Sequence, residues 1–433
     1  MVTFVSLFLW LITGVQTVEL AVDPRVDHVE ILLDGGVVAT IQSAPWRTKC
    51  DFGPLLEPHD LVAIAFGEDG DEIGRVHQVV NLPRPEAETR IVLNSDEEGR
   101  ATSVRVVTQS TEQLKPLSIL TTFDGQVLKL EKQGFYLLPE HDPKTIHLIS
   151  AEASYASGVV AGADVSYGGG FFEGVATELT AVPVLASDKP PTLSDLDGRL
   201  TVDGKELGIV AIEQGGVRIY IVRDVASHSM LKGASRAFSQ RYRAKKKKSK
   251  PIIEFDLDPE IDRVHLVGVN STAARGVSIF PVSGAVSIER RSLPWAVTNL
   301  FSPGATVVDQ RLADAVAVAG LRASGHGSPR AVLLITTKKP VDHSGYLGPA
   351  VRHYLDELRV PLYVWVTGKG STTSWGSGTK TMSSGDFSKA STALLSNLEK
   401  QWIVWVEGLH LVNRIELDGE DLGLTLVGAQ APE

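Results

Sequence analysis

At 433 residues the chain is long enough for two to four domains, and 43% hydrophobic with 22% charged residues is an ordinary globular composition. A formal net charge of −10 argues against general nucleic-acid affinity. The single cysteine excludes an intrachain disulfide and a cysteine-based zinc site.

The chain opens with "MVTFVSLFLWLITGVQTVEL", in which Val2 to Val15 is uncharged and apolar. That length is short for a bilayer span and fits the core of a signal peptide, although no Lys or Arg precedes it and no Ala-x-Ala follows. Residues 1–17 are therefore expected to direct export to a periplasmic or extracellular site, where envelope association would be open. The alternatives are a misassigned start or a first buried strand, in a protein that stays cytoplasmic. No later segment has the length and apolarity of a membrane span.

From Val18 onward the hydrophobic period is two. "HVEILLDGGVVATI" places Val29, Ile31 and Leu33 on one face and reaches an Asp-Gly turn at 34–35, and "HDLVAIAF" and "EIGRVHQVV" bracket the hairpin signal "GEDGDE". In "WRTKCDF" Cys50 alternates with Trp46, Thr48 and Phe52, which marks it as a buried structural thiol. The same grammar returns in "SILTTFDGQVLKL" and "IHLISAEASY", the latter alternating Ile149, Ala151, Ala153 and Tyr155 against Ser150, Glu152 and Ser154. "GVVAGADVSY" is expected to pair back on it across Ala156-Ser157-Gly158. The two Asp-Gly turns lie 90 residues apart, the size of a β-sandwich of immunoglobulin type. "VEILLDG" and "APWRTKCDFG" resemble the Ig-like modules of exported bacterial proteins. The resemblance implies one module at 18–83 and a second at 84–186. "NLPRPEAE" (81–88) and "SDKPPTLSD" (187–195) read as linkers, and "SYGGGFFEG" as a turn, since no helix follows to make it a phosphate cradle.

Beyond residue 196 strands and helices alternate. "VRIYIV", "DRVHLVGV", "AVLLIT", "VPLYVWVTG" and "WIVWVEG" read as strands. "MLKGASRAFSQRYR", "VDQRLADAVAVAGLRA", "LGPAVRHYLDELR" and "DFSKASTALLSNLEKQ" have helical spacing. Such alternation predicts a parallel sheet with helices on both faces. "VDGKELG" (202–208) and "LDGEDLG" (417–423) bracket this region with matching turn signals and are expected to meet at its edge.

The order of these elements, with "VPLYVWVTG" as its best-matched phrase, resembles a divergent von Willebrand factor A (VWA) domain. The fold class so implied is multidomain: two Ig-like β-sandwiches, then a VWA-like α/β domain, Rossmann-type and doubly wound on a mainly parallel sheet, over 196–425. VWA domains grip partners through a Mg²⁺ held by hard oxygens from three strand-end loops. In the first loop, "RDVASHS", Asp224 is in place. However, Ala226 and His228 stand where the family has serines, and Ser227 and Ser229 are one residue out of register. Gln310 stands for the second loop's Thr. The third loop has Thr337 for the Asp, followed by Lys338 and Lys339. The resemblance thus implies a degenerate metal site with no cofactor, and a protein partner docking on Asp224, Ser227, His228, Gln310, Thr337, Lys338 and Lys339. The helix-interrupted "VTNLF" (297–301) offers Thr298 only as a poor substitute.

Other chemistry is sparse. "SRAFSQRYRAKKKKSK" carries eight Lys or Arg, among them Arg241, Arg243, Lys245, Lys246, Lys247, Lys248 and Lys250. It reads as a solvated helix end and loop or as a patch for a polyanion or membrane surface. "GKGSTTSWGSGTKT" (368–381) has the wrong order for a P-loop and reads as a flexible excursion. His326 and Ser328 in "SGHGS" are the one hydrolase candidate, without a Gly-x-Ser-x-Gly elbow. The contiguous Asp342, His343 and Ser344 cannot surround one substrate as a triad does. The expectation is an exported, non-catalytic protein for protein–protein interaction or surface scaffolding, with no specific nucleic-acid partner.

Overall fold

A computed structural model describes residues 2–428 apart from positions 5, 7, 9–10, 23–25, 83–86, 96–100, 111–114, 132–133, 143, 156–159, 168–178, 188, 229–230, 232–256, 259, 271, 275–276, 281, 283–292, 300–307 and 369–370. The chain divides into two compact units, Met1–Arg84 and Pro85–Glu433.

The first unit holds seven strands among the described residues: β1 (Val2–Phe4), β2 (Val15–Val22), β3 (His28–Leu33), β4 (Gly36–Ile41), β5 (Arg47–Asp51), β6 (His59–Phe66) and β7 (Glu72–Val80). They form two antiparallel sheets, β1-β2-β5 and β4-β3-β6-β7. Val18 and Leu20 from one sheet, and Val29, Ile31, Leu61, Ala63 and Ala65 from the other, share a single apolar core, so the unit is a β-sandwich. Cys50 is buried in it beside Phe52, and burial pushes the thiol up to about 11. The apolar N-terminal stretch belongs to this core. Val2, Phe4 and Ile12 are buried, and the Ile12 amide donates to the Asn81 side chain at 2.8 Å.

The second unit begins with β8 (Ala87–Ser95), β9 (Ala101–Ser110), β10 (Ser118–Phe123), β11 (Gln126–Val127), β12 (Tyr136–Leu137), β13 (His147–Ser154) and β14 (Val160–Tyr167). Sheets β12-β9-β8 and β11-β10-β13-β14 sandwich Val104, Phe123, Tyr136 and Ile149. β14 pairs back on β13 as expected, while the turn at 156–158 and most of "SYGGGFFEG" lie outside the described residues. The repeat read from the two Asp-Gly turns extends to single atoms. Asp34 and Asp124 both adopt positive φ, 54° and 48°. One carboxylate oxygen of each takes a backbone amide, of Asp60 or Leu148, at 2.9 Å, and the other meets Nδ1 of His59 or His147 at 2.7 Å. A short polar side chain that bonds locally tolerates the left-handed region, and here it fastens each turn to the next strand.

There follow β15 (Leu179–Ala186), α1 (Leu193–Leu196), β16 (Leu200–Val202), β17 (Lys205–Glu206), β18 (Ile209–Glu213), β19 (Arg218–Arg223), β20 (Arg263–Val267), β21 (Thr272–Ala274), β22 (Val277–Ile279), α2 (Leu293–Asn299), α3 (Leu312–Ser324), β23 (Arg330–Thr337), α4 (Gly348–Glu357), β24 (Leu362–Thr367), β25 (Thr372–Thr373), β26 (Gly376–Ser377), β27 (Thr379–Lys380), α5 (Ser384–Leu398), β28 (Gln401–Glu407), β29 (Ile415–Leu417) and β30 (Leu424–Leu426). One sheet, β20-β19-β23-β24-β27, is parallel throughout. Ile219, Ile221, Leu333, Ile335 and Trp365 of this sheet pack with Phe387, Leu394 and Leu398 of α5. The 368–381 stretch, read as an excursion, supplies the fifth strand and buries Trp375.

The expected fold class is overturned. Among the described residues 45% are strand and 18% helix, and the parallel sheet is one of nine, the other eight being antiparallel. "WIVWVEG", expected as its last strand, is β28, which pairs antiparallel with β15 and β18. A continuous apolar run fits a parallel strand and a doubly covered antiparallel one equally well, and β28 is of the second kind. Val404 and Val406 enter one core, Ile403 and Trp405 another. The chain is therefore a set of β-sandwich and antiparallel modules together with one parallel sheet, without the helix-rich VWA-like, Rossmann-type domain expected over 196–425. The expected meeting of 202–208 with 417–423 is present in part. β16 pairs with β29, and Arg199 makes a forked ion pair with Asp421 at its end. No helix among the described residues is long and apolar enough to cross a membrane.

Candidate functional site

Three of the residues expected to gather do so. β19, β23 and the turn before α3 end side by side, because the parallel register sets Arg223 opposite Ile335. Asp224 follows β19 and is fully buried, as is Gln310, while Thr337 closes β23. Asp224 Oδ1 accepts from the Ala226 amide at 2.9 Å and from Gln310 Nε2 at 3.1 Å. Its Oδ2 accepts from the Thr337 amide at 3.0 Å and the Thr337 hydroxyl at 2.6 Å. Gln310 Oε1 accepts from the Val225 amide at 3.0 Å, and its Nε2 also donates to the Val341 carbonyl. Every acceptor direction of the carboxylate is thus turned toward protein donors, which fill the role a bound cation has in a metal-dependent site. Ser227 is buried and donates to the Asp224 carbonyl at 2.6 Å, away from the carboxylate. His228 closes a one-turn 3-10 helix at the side of the cluster, and Ser229 lies outside the described residues. Lys338 and Lys339 are exposed and carry no ion pair among the described residues. Val308, Val341 and Leu347 are exposed on the same loops, at 75%, 44% and 75%. Thr298 lies on α2.

The loop 341–346 holds residues that the sequence did not mark for this role. Asp342 accepts from the Leu312 and Ala313 amides at 2.8 and 3.3 Å, and so caps α3, whose own N-cap residue, Arg311, makes no side-chain cap. Asp314 in turn accepts from the Gly345 and Tyr346 amides at 3.1 Å. "VDHSG", excluded as a triad, is a reciprocal cap between a helix and the rim loop. The Asp342-x-Ser344 spacing signals only the local turn in which the Ser344 amide donates to Asp342 at 3.0 Å; its reach to α3 has no local signal.

The hydrolase candidate sits elsewhere, against a hollow of about 90 Å³ lined by Glu152, Asp164, Glu213, Arg218, His326 and Ser328 among others. Ser328 Oγ accepts from Arg218 Nε at 2.9 Å, and no hydrogen bond joins it to His326. Arg218 also pairs with Glu152, while its Nη1 is buried without an acceptor. Burial pushes the Arg218 guanidinium down to about 10. His326 is held well below the ordinary imidazole range, by burial first and by the nearby cations Arg218, Arg330 and Arg322 as well as His265. Glu152 escaped the sequence reading because it alternates with serines and looked solvent-facing; in the structure Glu152 and Ser154 are buried. The basic residues Arg241, Arg243, Lys245, Lys246, Lys247, Lys248 and Lys250 lie outside the described residues, as does the helix expected around them. Among the described residues no group of three or more His, Cys, Asp or Glu is placed to hold a metal ion.

No protein-family model matches the sequence, and comparison with curated proteins finds no match. Similarity to solved structures is weak. The fibronectin(III)-like modules of Clostridium thermocellum CbhA are 15% identical, with a TM-score of 0.17, over 18% of this chain and 93% of theirs. The central fibronectin-III array of RIM-binding protein is 12% identical, with a TM-score of 0.19, over 45% of this chain and 77% of that one. The Bacteroides ovatus mixed-linkage glucan utilization protein SGBP-B, solved with a mixed-linkage heptasaccharide, is 13% identical, with a TM-score of 0.14, over 50% of this chain and 59% of that one. At these scores none of them carries a functional argument.

Proposed function

We propose that this is a non-catalytic binding protein that docks a protein partner on the loop rim beyond β19 and β23, without a metal ion. The observation that supports it most is the internal use of Asp224. With the carboxylate satisfied by Ala226, Gln310 and Thr337, the three loops are tied by their own side chains. What the rim offers outward is then Lys338 and Lys339 beside exposed Val308, Val341 and Leu347. That combination suits an acidic partner segment with apolar side chains, since charge complementarity sets encounter and apolar contact holds the complex. Open sheets with parallel strands take ligands at this end.

The test is retention of the full chain on an immobilised peptide alternating Glu and Leu, by surface plasmon resonance. Wild type is expected to bind and the Lys338→Glu, Lys339→Glu double variant to lose about tenfold or more in affinity, corresponding to roughly 1.4 kcal/mol. Equal retention of the two proteins would sink the proposal. Titration with Mg²⁺ or Mn²⁺ is expected to give no saturable heat; micromolar binding at the rim would overturn its metal-free part. An exported, periplasmic or extracellular setting is part of the same reading, with residues 1–17 kept as part of the first module rather than cleaved, since Val2, Phe4 and Ile12 lie in its core; N-terminal sequencing of the protein from envelope and cytoplasmic fractions checks both points.

A further inference from the structure

The hollow between β13 and β14 on one side, and β18, β19 and the 325–328 loop on the other, holds charges that the rim does not use. Glu152 is matched by Arg218. Asp164 and Glu213 have no cationic partner among the described residues, and Glu213 takes only the Trp405 indole N–H, at 2.9 Å. Burial pushes Asp164 up to about 6 and Glu213 up to about 7, the charge of Asp164 adding to the effect on Glu213. These are two half-buried carboxylates with no cation beside them among the described residues.

A second, independent feature points to a ligand. The His326 side chain lines the hollow and is only 9% exposed, yet it makes no hydrogen bond among the described residues. Glu152 is 3.8 Å from Nδ1, beyond hydrogen-bond reach. A neutral imidazole presents one bare nitrogen that accepts, and a side chain so nearly enclosed leaves little water to meet it. The hollow therefore offers two carboxylates and an acceptor nitrogen at about 90 Å³, room for a group of a few heavy atoms. Glu213 also borders a wider hollow of about 440 Å³ with Ile146, Leu193 and Trp402, an apolar bed beside the charged one.

We propose that this hollow binds a primary alkylammonium, its three N–H donors meeting Asp164, Glu213 and His326 and its alkyl stem lying toward Trp402. An anion would meet three carboxylates, Glu152, Asp164 and Glu213, against the single guanidinium of Arg218, which Glu152 already pairs. A divalent metal lacks a suitably placed donor set among the described residues.

The experiment is calorimetry of the full chain with butylammonium, sodium butyrate and the blocked tripeptide acetyl-Gly-Lys-Gly-amide. Saturable binding of butylammonium is expected at pH 8, about tenfold weaker at pH 5.5 where both carboxyls mostly hold protons, and about tenfold weaker in Asp164→Asn and in Glu213→Gln. These amides keep shape and remove a half-buried charge, so their thermal melts are expected to match or exceed wild type at pH 8. Comparable binding of the tripeptide identifies a lysine side chain as the source of the amine, and binding of butylammonium alone identifies a free amine. No heat with butylammonium at pH 8, unchanged binding in both variants, or equal binding of butyrate would overturn the site.

Discussion

Asp224 is buried and accepts four hydrogen bonds from three loops, so its loss strikes the ends of β19 and β23 and the start of α3 together. Asp224→Ala leaves buried donors of Thr337 and Gln310 unmatched, and a cost of roughly 3 kcal/mol is expected in urea unfolding. Gly327 is fixed by space: a Cβ there would fall inside the Trp405 ring. Gly327→Ala should therefore lower stability by about 1–3 kcal/mol through overpacking, read from the thermal midpoint. The pH dependence follows from Asp164 and Glu213. Their folded values, about 6 and about 7, lie above the ordinary carboxyl range, so the folded state holds protons that the unfolded chain releases. Their contribution is fully present below the unfolded values near 4 and is lost as pH rises through 6 and 7. His326 acts oppositely. Its depressed value makes the fold resist a proton that the unfolded chain accepts, so stability is lost as pH falls below about 6.5. With two carboxyls against one imidazole, the melting temperature is expected to be higher at about pH 5.5 than at about pH 8, and Glu213→Gln should narrow that difference.

At the scale of elements, the Asp-Gly turns show how a short motif builds a module. Asp34 with His59, and Asp124 with His147, close the same latch, their aspartates 90 residues apart. The turns and the strand alternation were legible in the sequence, because both depend on neighbours along the chain. The partner histidines were not, since each reaches its aspartate across a strand pair. His59→Ala should cost the first module roughly 1–2 kcal/mol by leaving Asp34 short of a partner, with the second module's unfolding unchanged, as urea unfolding followed by hydrogen exchange would show. Helix α3 makes the same point from the other side. Its periodicity is plain in "RLADAVAVAGLRA", but its cap comes from Asp342, 30 residues away. Asp342→Ala is expected to lower stability by about 1 kcal/mol in the same measurement.

Across the whole molecule the largest revision concerns β28. Its run of apolar residues belongs to an antiparallel sheet with β15 and β18, and its two faces feed two different cores. No local property separates that role from a strand of the parallel sheet. The candidate site was legible to the extent of Asp224, Gln310 and Thr337, which stand at strand ends that the hydrophobic pattern marks. Their conversion into a closed hydrogen-bond cluster, and the gathering of Glu152, Asp164, Glu213, Arg218 and His326 around one hollow, were not legible. By itself the sequence determined the β-modules, their repeat, most of the individual strands and helices, and the buried thiol, all of which rest on period and on near neighbours. Only the tertiary structure decided which strands share a sheet and which polar groups lose their water, because both depend on surfaces brought together from segments far apart along the chain.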